Sequence, residues 1–518
     1  MTNTSKTQVQ STFFERDGQL VLALNSEVRL SKDALVRTVS MQLEELDYSK
    51  LYCNYSRFGR KPAVDPKTMF KIIVYAFANS IFSLRKIQEA CQIRIDFLWL
   101  LGDDPAPSYS TIKRFLDRNL NEMEDLFYQY VNYLEKQGET DHDTVFIDGT
   151  KLESRAGRYT FCWRGTVTKN LSRLKEKVFC ATGAATLKEL QCYMDRLHPD
   201  TSTFVYGTGH RKTDLQREYE QCMEWAEKWQ SYQDALTTMG PDRNSFSKTD
   251  PDATFMRMKE DHMRNGQLKP AYNVQIAVNS EYITGIGIFP NRTDVGTLIP
   301  FLKDLQNWHG RSYASITADS GYESLENYLW LQQHHQVSYI KPSNYEAKKK
   351  RRFKQQIGRI ENMTYVPEEK SFVCAEGRKL RLQCRKETEV QGQSTAEEIY
   401  RCENCTGCKQ REACCRAKDP NRPKEVRVKQ MFWKMRGESE HNICSKQGLL
   451  YRQNRSIQVE GTFGLIKNVF QFRRFYGWGK ISAKTEILLL SIAFNLRKYW
   501  KKQEHRRKRT HLSQIKVT

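Results

Sequence analysis

Thr144-Val145-Phe146-Ile147-Asp148 and Ala314-Ser315-Ile316-Thr317-Ala318-Asp319 are two short strand-like runs that each end on a carboxylate. Such runs predict strands buried in a sheet, whose ends present side chains at the sheet rim. Between them, 272–278 and 283–289 flank Asn279-Ser280-Glu281, which predicts a β-hairpin. Asp294 reads as the cap of a helix that carries Leu298, Phe301 and Leu305 on one face. A helix from Ser324 and a strand over 337–340 follow the second carboxylate. Strand, hairpin, helix, strand, helix, strand is the order of a mixed α/β sheet.

The region before this sheet reads as helical. Ser31 caps a segment with Leu35, Val36, Val39, Leu43 and Leu46 at helical spacing, and Asp65-Pro66 opens a second helix. Short helices follow over 83–91 and 95–101, and Ser110 opens a long one reaching Leu134. Short helices with polar turns suit a DNA reader of the helix-turn-helix kind, while a helical dimerisation domain fits the same pattern. The net charge of +22, from 83 Lys and Arg against 61 Asp and Glu, favours a polyanionic partner. Lys113, Arg114 and Arg118 are the candidate DNA-reading side chains.

The expected organisation is a helical DNA-binding domain over 1–140, a catalytic domain over 141–500 and a basic tail over 501–518. Two insertions interrupt the sheet. The first, 152–269, carries Leu215, Tyr219, Cys222, Ala226, Trp229 and Leu236 at heptad-like spacing, which fits an intramolecular helical hairpin or a dimer seam. The second, 342–444, holds Lys348-Lys349-Lys350-Arg351-Arg352 and most of the clustered cysteines. No apolar run is long enough to span a membrane, and the opening MTNTSKTQVQST lacks a signal-peptide core. The expectation is a cytoplasmic protein with thiols that are free or metal-bound.

Strand-end carboxylates such as Asp148 and Asp319 can converge on one point, and hard divalent cations take oxygen ligands. Two such ions about 4 Å apart can serve the attacking and leaving oxygens of a phosphodiester. Glu460 is the candidate third carboxylate, on a segment read as one helix, with Lys467 seven residues on and on the same face. Taken singly, each acid reads equally well as a surface group or a cap; Asp319 could simply cap the turn at Ser320-Gly321-Tyr322.

At these residues the sequence resembles bacterial insertion-sequence transposases of the DDE superfamily, in the branch with a Cys-rich insertion before the Glu. The blocks are Phe146-Ile147-Asp148-Gly149-Thr150-Lys151, Ala318-Asp319-Ser320-Gly321-Tyr322 and Val459-Glu460-Gly461-Thr462-Phe463-Gly464. Thr249-Asp250-Pro251-Asp252-Ala253, Lys269-Pro270-Ala271-Tyr272-Asn273-Val274-Gln275 and Pro107-Ser108-Tyr109-Ser110-Thr111-Ile112 are also similar to family blocks. The resemblance implies an RNase H-like catalytic fold and a metal site of Asp148, Asp319 and Glu460 holding Mg2+ or Mn2+. It implies direct transesterification on the element's ends and target DNA, by a homodimer or larger assembly at the bacterial nucleoid. The rival is an inactive or regulatory sequence-specific DNA-binding protein with the same fold. The wider group spaces its last motif Tyr-x2-Arg-x3-Glu-x6-Lys. Here Glu460 and Lys467 fit, Ser456 stands in the Arg place, Arg455 is one position early, and Tyr451 does not fit. Arg455, Lys467, Arg473 and Arg474 are the candidate phosphate contacts around this segment.

Cys405-x2-Cys408-x5-Cys414 offers three thiolates for a structural zinc, with Cys374, Cys384 or Cys402 as the fourth ligand and Cys374 the one adopted. Free thiols and an iron–sulfur cluster are the alternatives, although the last gap and the missing Pro depart from an iron–sulfur run.

Overall fold

The computed structural model describes residues 30–55, 61–197, 199–206, 212–258, 266–415, 417, 419, 422–505 and 507, and the backbone of 12–13 and 20–21. The chain forms two units, Met1–Tyr130 with Ile492–Lys508, and Val131–Ser491 with Arg509–Thr518.

In the first unit, α1 (Leu35–Glu44) buries Val36, Val39 and Leu43. Its N-cap is Ala34, so Ser31 does not cap it. The start of α2 (Pro66–Ala78) follows from sequence: Pro66 needs no N–H in the first turn, and the Asp65 side chain accepts from the amides of Lys67 and Thr68. From Met69 to Ala78 every residue of α2 is buried, which makes it the central helix. Beyond it lies α3 (Leu84–Ile93), which packs on α4 (Ile95–Leu101) and α5 (Tyr109–Arg118), and these two pack on α2. The long helix expected from Ser110 is two helices. Ser108 caps α5 by accepting from Thr111 N, and α6 (Glu122–Lys136) starts afresh. The break is at Asn119, a buried residue whose side chain turns back to Phe115 O at 2.8 Å. No Gly or Pro marks this break in the sequence. The helix Lys480–Glu504 ends in this unit, where Trp500 donates to Asp33 O at 2.8 Å. Of the basic tail, residues 506 and 508–518 lie outside the described residues.

The second unit is built on a six-stranded mixed sheet. Its strands are β1 (Thr144–Glu153), β2 (Thr254–Arg257), β3 (Leu268–Asn279), β4 (Tyr282–Phe289), β5 (Ser315–Ala318) and β6 (Val337–Ile340). The order is β6-β5-β1-β3-β2, with β4 also paired to β3. β5 and β6 run parallel to β1, while β3 and β4 are antiparallel neighbours. The β3–β4 turn falls where the sequence puts it. Ser280 and Glu281 have φ of 50° and 71°, the positive pair that matches strand twist in a two-residue hairpin. β1 does not end at Asp148: it continues to Glu153 because 149–153 pairs with 271–275 of β3. Asp148 is therefore mid-strand. The helix after the hairpin, α10 (Leu298–His309), has Thr297 as N-cap and no side-chain cap. Asp294 instead sends its carboxylate to β3.

The helices of the first insertion are α7 (Arg164–Thr182), α8 (Leu187–Leu197) and α9 (Asp214–Met239). Cys222, Trp225 and Trp229 of α9 share a core with Leu171, Leu174 and Val178 of α7 and Leu190 and Met194 of α8. The heptad-like spacing thus reports packing within the chain. Leu215, at its start, is exposed.

The second insertion forms a five-stranded antiparallel sheet of β7 (Thr364–Val366), β8 (Ser371–Val373), β9 (Lys379–Val390), β10 (Gln393–Cys402) and β11 (Glu425–Lys429). It ends before 444, because α12 (Gln430–Cys444) belongs to the main sheet. Ser439 donates to Ile340 O at 2.8 Å, and Asn442 to Ser338 O at 3.1 Å. Arg436 pairs with the buried Glu323 at 2.6 Å, in the turn before α11 (Leu325–Gln333).

Candidate active site

Ile147 of β1 pairs in parallel register with Ala318 of β5. The next residue in each chain segment is an aspartate, Asp148 inside β1 and Asp319 just past the end of β5, so the two backbones bring Asp148 and Asp319 to the same level of the sheet. Asp148 is buried, and its Oδ1 accepts from Gly149 N at 2.8 Å. Asp319 is half-buried, and its Oδ1 accepts from Gly321 N at 2.7 Å, so it does cap the turn that follows β5.

Glu460 reaches this pair through a third residue. After α13 (Lys446–Arg455) the chain winds as a π-helix over Ser456–Glu460, then as α-helix over Gly461–Gly464 and π-helix again over Leu465–Val469. The segment expected to be one regular helix is helical throughout but changes pitch three times. A π-turn brings residues five apart onto one face, which is the spacing of Arg455 and Glu460. Arg455 Nη2 lies 3.3 Å from Glu460 Oε1, and Nη1 lies 3.6 Å from Asp148 Oδ2. Ser456 Oγ donates to Glu460 Oε2 at 2.9 Å. The extra residue that displaces Arg455 in the motif is taken up by the wider turn.

Behind the carboxylates lies a polar network that sequence reading did not assign. Asp294 Oδ1 accepts from Asn273 Nδ2 at 2.7 Å and from Gln275 Nε2 at 2.9 Å. Tyr322, fully buried, donates its hydroxyl to Gln275 Oε1. Burial pushes the Tyr322 phenol well above its usual range. The negative charges of Asp294, Asp148 and Asp319 add to this, and Arg455 opposes them. These groups therefore share one electrostatic neighbourhood. Gly149 is the gap that admits the network: a Cβ there would lie 2.3 Å from Gln275 Nε2 and 2.7 Å from Asp294 Oδ1. The only sequence signal for Asp294 was its placement between the hairpin and a helix, which pointed to a cap.

Two further blocks have structural work. Asp250 is buried and accepts from the Tyr272 hydroxyl at 2.8 Å and from Gly479 N at 3.3 Å. Burial raises its carboxyl above the usual range, against the hydrogen bonds from Tyr272 and Gly479.

The basic candidates divide. Arg474 donates to the carbonyls of Ser154, Arg155 and Ala156, which binds the 470–478 loop to the end of β1. Those bonds give Arg474 a structural role, while the residue as a whole stays exposed. Arg473 is exposed and donates to Lys467 O at 3.2 Å. Lys467 is half-buried in the second π-turn. Lys113, Arg114 and Arg118 are exposed on α5, with Lys113 paired to Asp117 and Arg118 over the Tyr55 ring at 4.8 Å.

The chemistry of Asp148 and Asp319, two adjacent carboxylates, fits a hard divalent cation. Glu460 does not join them directly, because the Arg455 guanidinium links it to Asp148. Among the described residues no three His, Cys, Asp or Glu side chains form a ready metal-binding group. In the second insertion, Cys402 lies in the small core of Phe372, Leu380, Tyr400 and Val426, and Cys374, Cys405 and Cys414 pack against that core. Cys408 is not among them. Burial pushes the Cys402 thiol up to about 12, with Cys405 and Cys374 adding to the shift.

Two family models match the chain. A transposase domain of the DUF772 type matches residues 24–118, and the transposase DDE domain matches residues 373–500, which include Glu460 and Lys467. Over these two stretches the chain is similar to insertion-sequence DDE transposases, which both matches support. The two matches lie in the order expected, helical region first, and leave Asp148 and Asp319 outside both. No curated protein and no solved structure matches it. Transposases act on DNA, and those of the DDE family generally use divalent metal ions. No described helix of the chain is long and apolar enough to cross a membrane.

Proposed function

We propose that this chain is an insertion-sequence DDE transposase that cleaves the ends of its element and joins them to target DNA at Asp148, Asp319 and Glu460. The observation that carries this reading is the parallel pairing of Ile147 with Ala318, which brings Asp148 and Asp319 to one level of the sheet, with Glu460 tied to Asp148 by Arg455. The sheet order supports an RNase H-like domain: a three-strand antiparallel meander, β1, β3 and β4, extended by two parallel strands, β5 and β6. Asp148 and Asp319 are the residues that would hold Mg2+ or Mn2+, with Glu460 completing the set once Arg455 releases it. When bound, divalent cations supply Lewis acidity to the attacking and leaving oxygens of the phosphodiester. Gly149 and the Gln275–Asp294–Tyr322 network fix the strand that carries Asp148. Lys467 and Arg473 border the same helical segment and would hold DNA phosphate. Two ends must be brought together, so the active form is a homodimer or larger.

Recognition of the ends is assigned to the N-terminal helices, with Lys113, Arg114 and Arg118 exposed on α5. A structural zinc is assigned to the second insertion. Its candidate ligands are Cys374, Cys405, Cys408 and Cys414, on the strength of their spacing alone, since among the described residues no three of them form a ready site.

The test is a strand-transfer assay on the gene's own flanking DNA. Asp148→Asn, Asp319→Asn and Glu460→Gln should each lose cleavage by at least about 100-fold, the scale of removing transition-state stabilisation of about 3 kcal/mol, while DNA binding persists. Near-normal cleavage by Asp319→Asn would remove it from the site.

A further inference from the structure

Arg455 occupies an unusual position for a residue expected only to touch DNA. Its side chain is 19% exposed, and Nη1 is buried with no hydrogen-bond partner. That nitrogen faces Asp148 Oδ2 at 3.6 Å, and the other faces Glu460 Oε1 at 3.3 Å. Both separations exceed the roughly 2.7–2.9 Å of a made charge-assisted bond. The guanidinium is thus held by two carboxylates without being locked to either, and the π-turn at Ser456–Glu460 aims it there.

We propose that Arg455 is a resident counter-cation that stands in for a divalent ion between Asp148 and Glu460, and that DNA phosphate draws it away. Metal loading and DNA binding then become one linked equilibrium. This rests on the reading of Asp148 and Glu460 as metal ligands.

The physical argument is exclusion. A divalent ion on a carboxylate sits about 2.1 Å from its oxygen, so at Asp148 it would compete with the guanidinium for the same oxygen at close range. Two like charges cannot share that half-buried gap, and Arg455 must leave when the ion enters. A DNA phosphate offers its planar fork a partner of matching charge and shape. Linkage is reciprocal: the factor by which DNA tightens metal is the factor by which metal tightens DNA. Without DNA the enzyme then holds metal weakly, which keeps the site idle until substrate arrives.

The test measures Mn2+ binding to the full-length protein by electron paramagnetic resonance, with and without a random-sequence duplex, since a phosphate contact needs no particular sequence. Wild type should bind Mn2+ weakly alone and about tenfold or more tightly with the duplex, within the usual range of allosteric coupling. Arg455→Gln should bind Mn2+ about tenfold more tightly than wild type without DNA and gain less than about threefold from it, having lost most of that coupling. If that variant does not fold, Arg455→Met carries the same expectation. Asp148→Asn should lose the ion in both conditions. If Asp148→Asn loses Mn2+ but neither Arg455 variant binds it more tightly than wild type, the counter-cation role is overturned and the metal site stands. If Asp148→Asn binds Mn2+ like wild type, the metal-site reading itself falls, and the proposal with it.

Discussion

A methyl group on Gly149 should cost this protein several kcal/mol, although the change is the smallest available. The added Cβ would lie 2.3 Å from Gln275 Nε2, 2.7 Å from Asp294 Oδ1 and 3.1 Å from Asn273 Oδ1. Ordinary contact needs about 3.5 Å, so the Gln275 amide must retreat by about 1 Å. It cannot do so freely. Gln275 is fully buried, donates to Asn273 at 3.0 Å and to Asp294 at 2.9 Å, and accepts from the buried Tyr322 hydroxyl. Overpacking costs about 1–3 kcal/mol, and each buried group left without its partner about 1–3 kcal/mol. With one bond lost, Gly149→Ala should destabilise by about 2–6 kcal/mol. The assay is equilibrium urea unfolding of Gly149→Ala, Gln275→Ala and the double variant. Removing the Gln275 amide opens the space, so the two changes should couple by about 1.5 kcal/mol or more. A cost for Gly149→Ala below about 0.5 kcal/mol, or the same cost in both backgrounds, would refute this packing account.

Other outcomes follow from particular contacts. Arg436→Met should destabilise at neutral pH by about 3–5 kcal/mol, because it leaves the buried Glu323 carboxylate unpaired. Burial pushes that carboxyl up, but Arg436 and the Ser343 amide outweigh burial and hold it below the usual range. A lowered folded value means the stabilisation is present above the ordinary Glu range and lost as pH falls through the folded value. Wild type and variant should therefore converge in thermal melts on acidification, and parallel pH curves would count against the pair. Asp250 has the opposite sign: its raised carboxyl costs stability as pH rises, so Asp250→Asn, which still accepts from Tyr272, should gain stability at neutral pH and not in acid. Deleting Ser456 should convert the first π-turn to α-helix and leave Arg455 one ordinary turn before Glu460, so cleavage should survive within about tenfold, whereas a lost Arg–Glu link would cost more. Joint replacement of Lys113, Arg114 and Arg118 by Ala should flatten the salt slope of DNA binding by about one per lost phosphate contact; an unchanged slope means α5 does not face DNA. Zinc analysis of the reduced protein should find one metal per chain, lost in Cys405→Ser, and a metal-free wild type rejects the assignment.

Much of this molecule was legible in local sequence because the signals were local. Asp65-Pro66 opens α2 through a backbone constraint and a cap within three residues. Asn279-Ser280-Glu281 sets a two-residue hairpin turn, and Ser324 caps α11. The two Asp-terminated runs identified β1 and β5, and alternating strand and helix fixed the class of the sheet. What the sequence could not show depends on which strand lies beside which. Asp148 looked like a strand end because the residues after it are less apolar, yet β3 pairs with them and carries β1 on to Glu153. Asp294 looked like a helix cap because a cap is a local job, and only the closeness of β3 turned its carboxylate inward. Arg455 looked misplaced by one residue because spacing was counted on an α-helix. The π-turn, which no residue pattern announces, returned it to the face of Glu460. Hydrogen bonds within a few residues are written in the sequence they join. Register between distant strands and the pitch of a buried helix are settled by packing, and packing exists only in the folded chain.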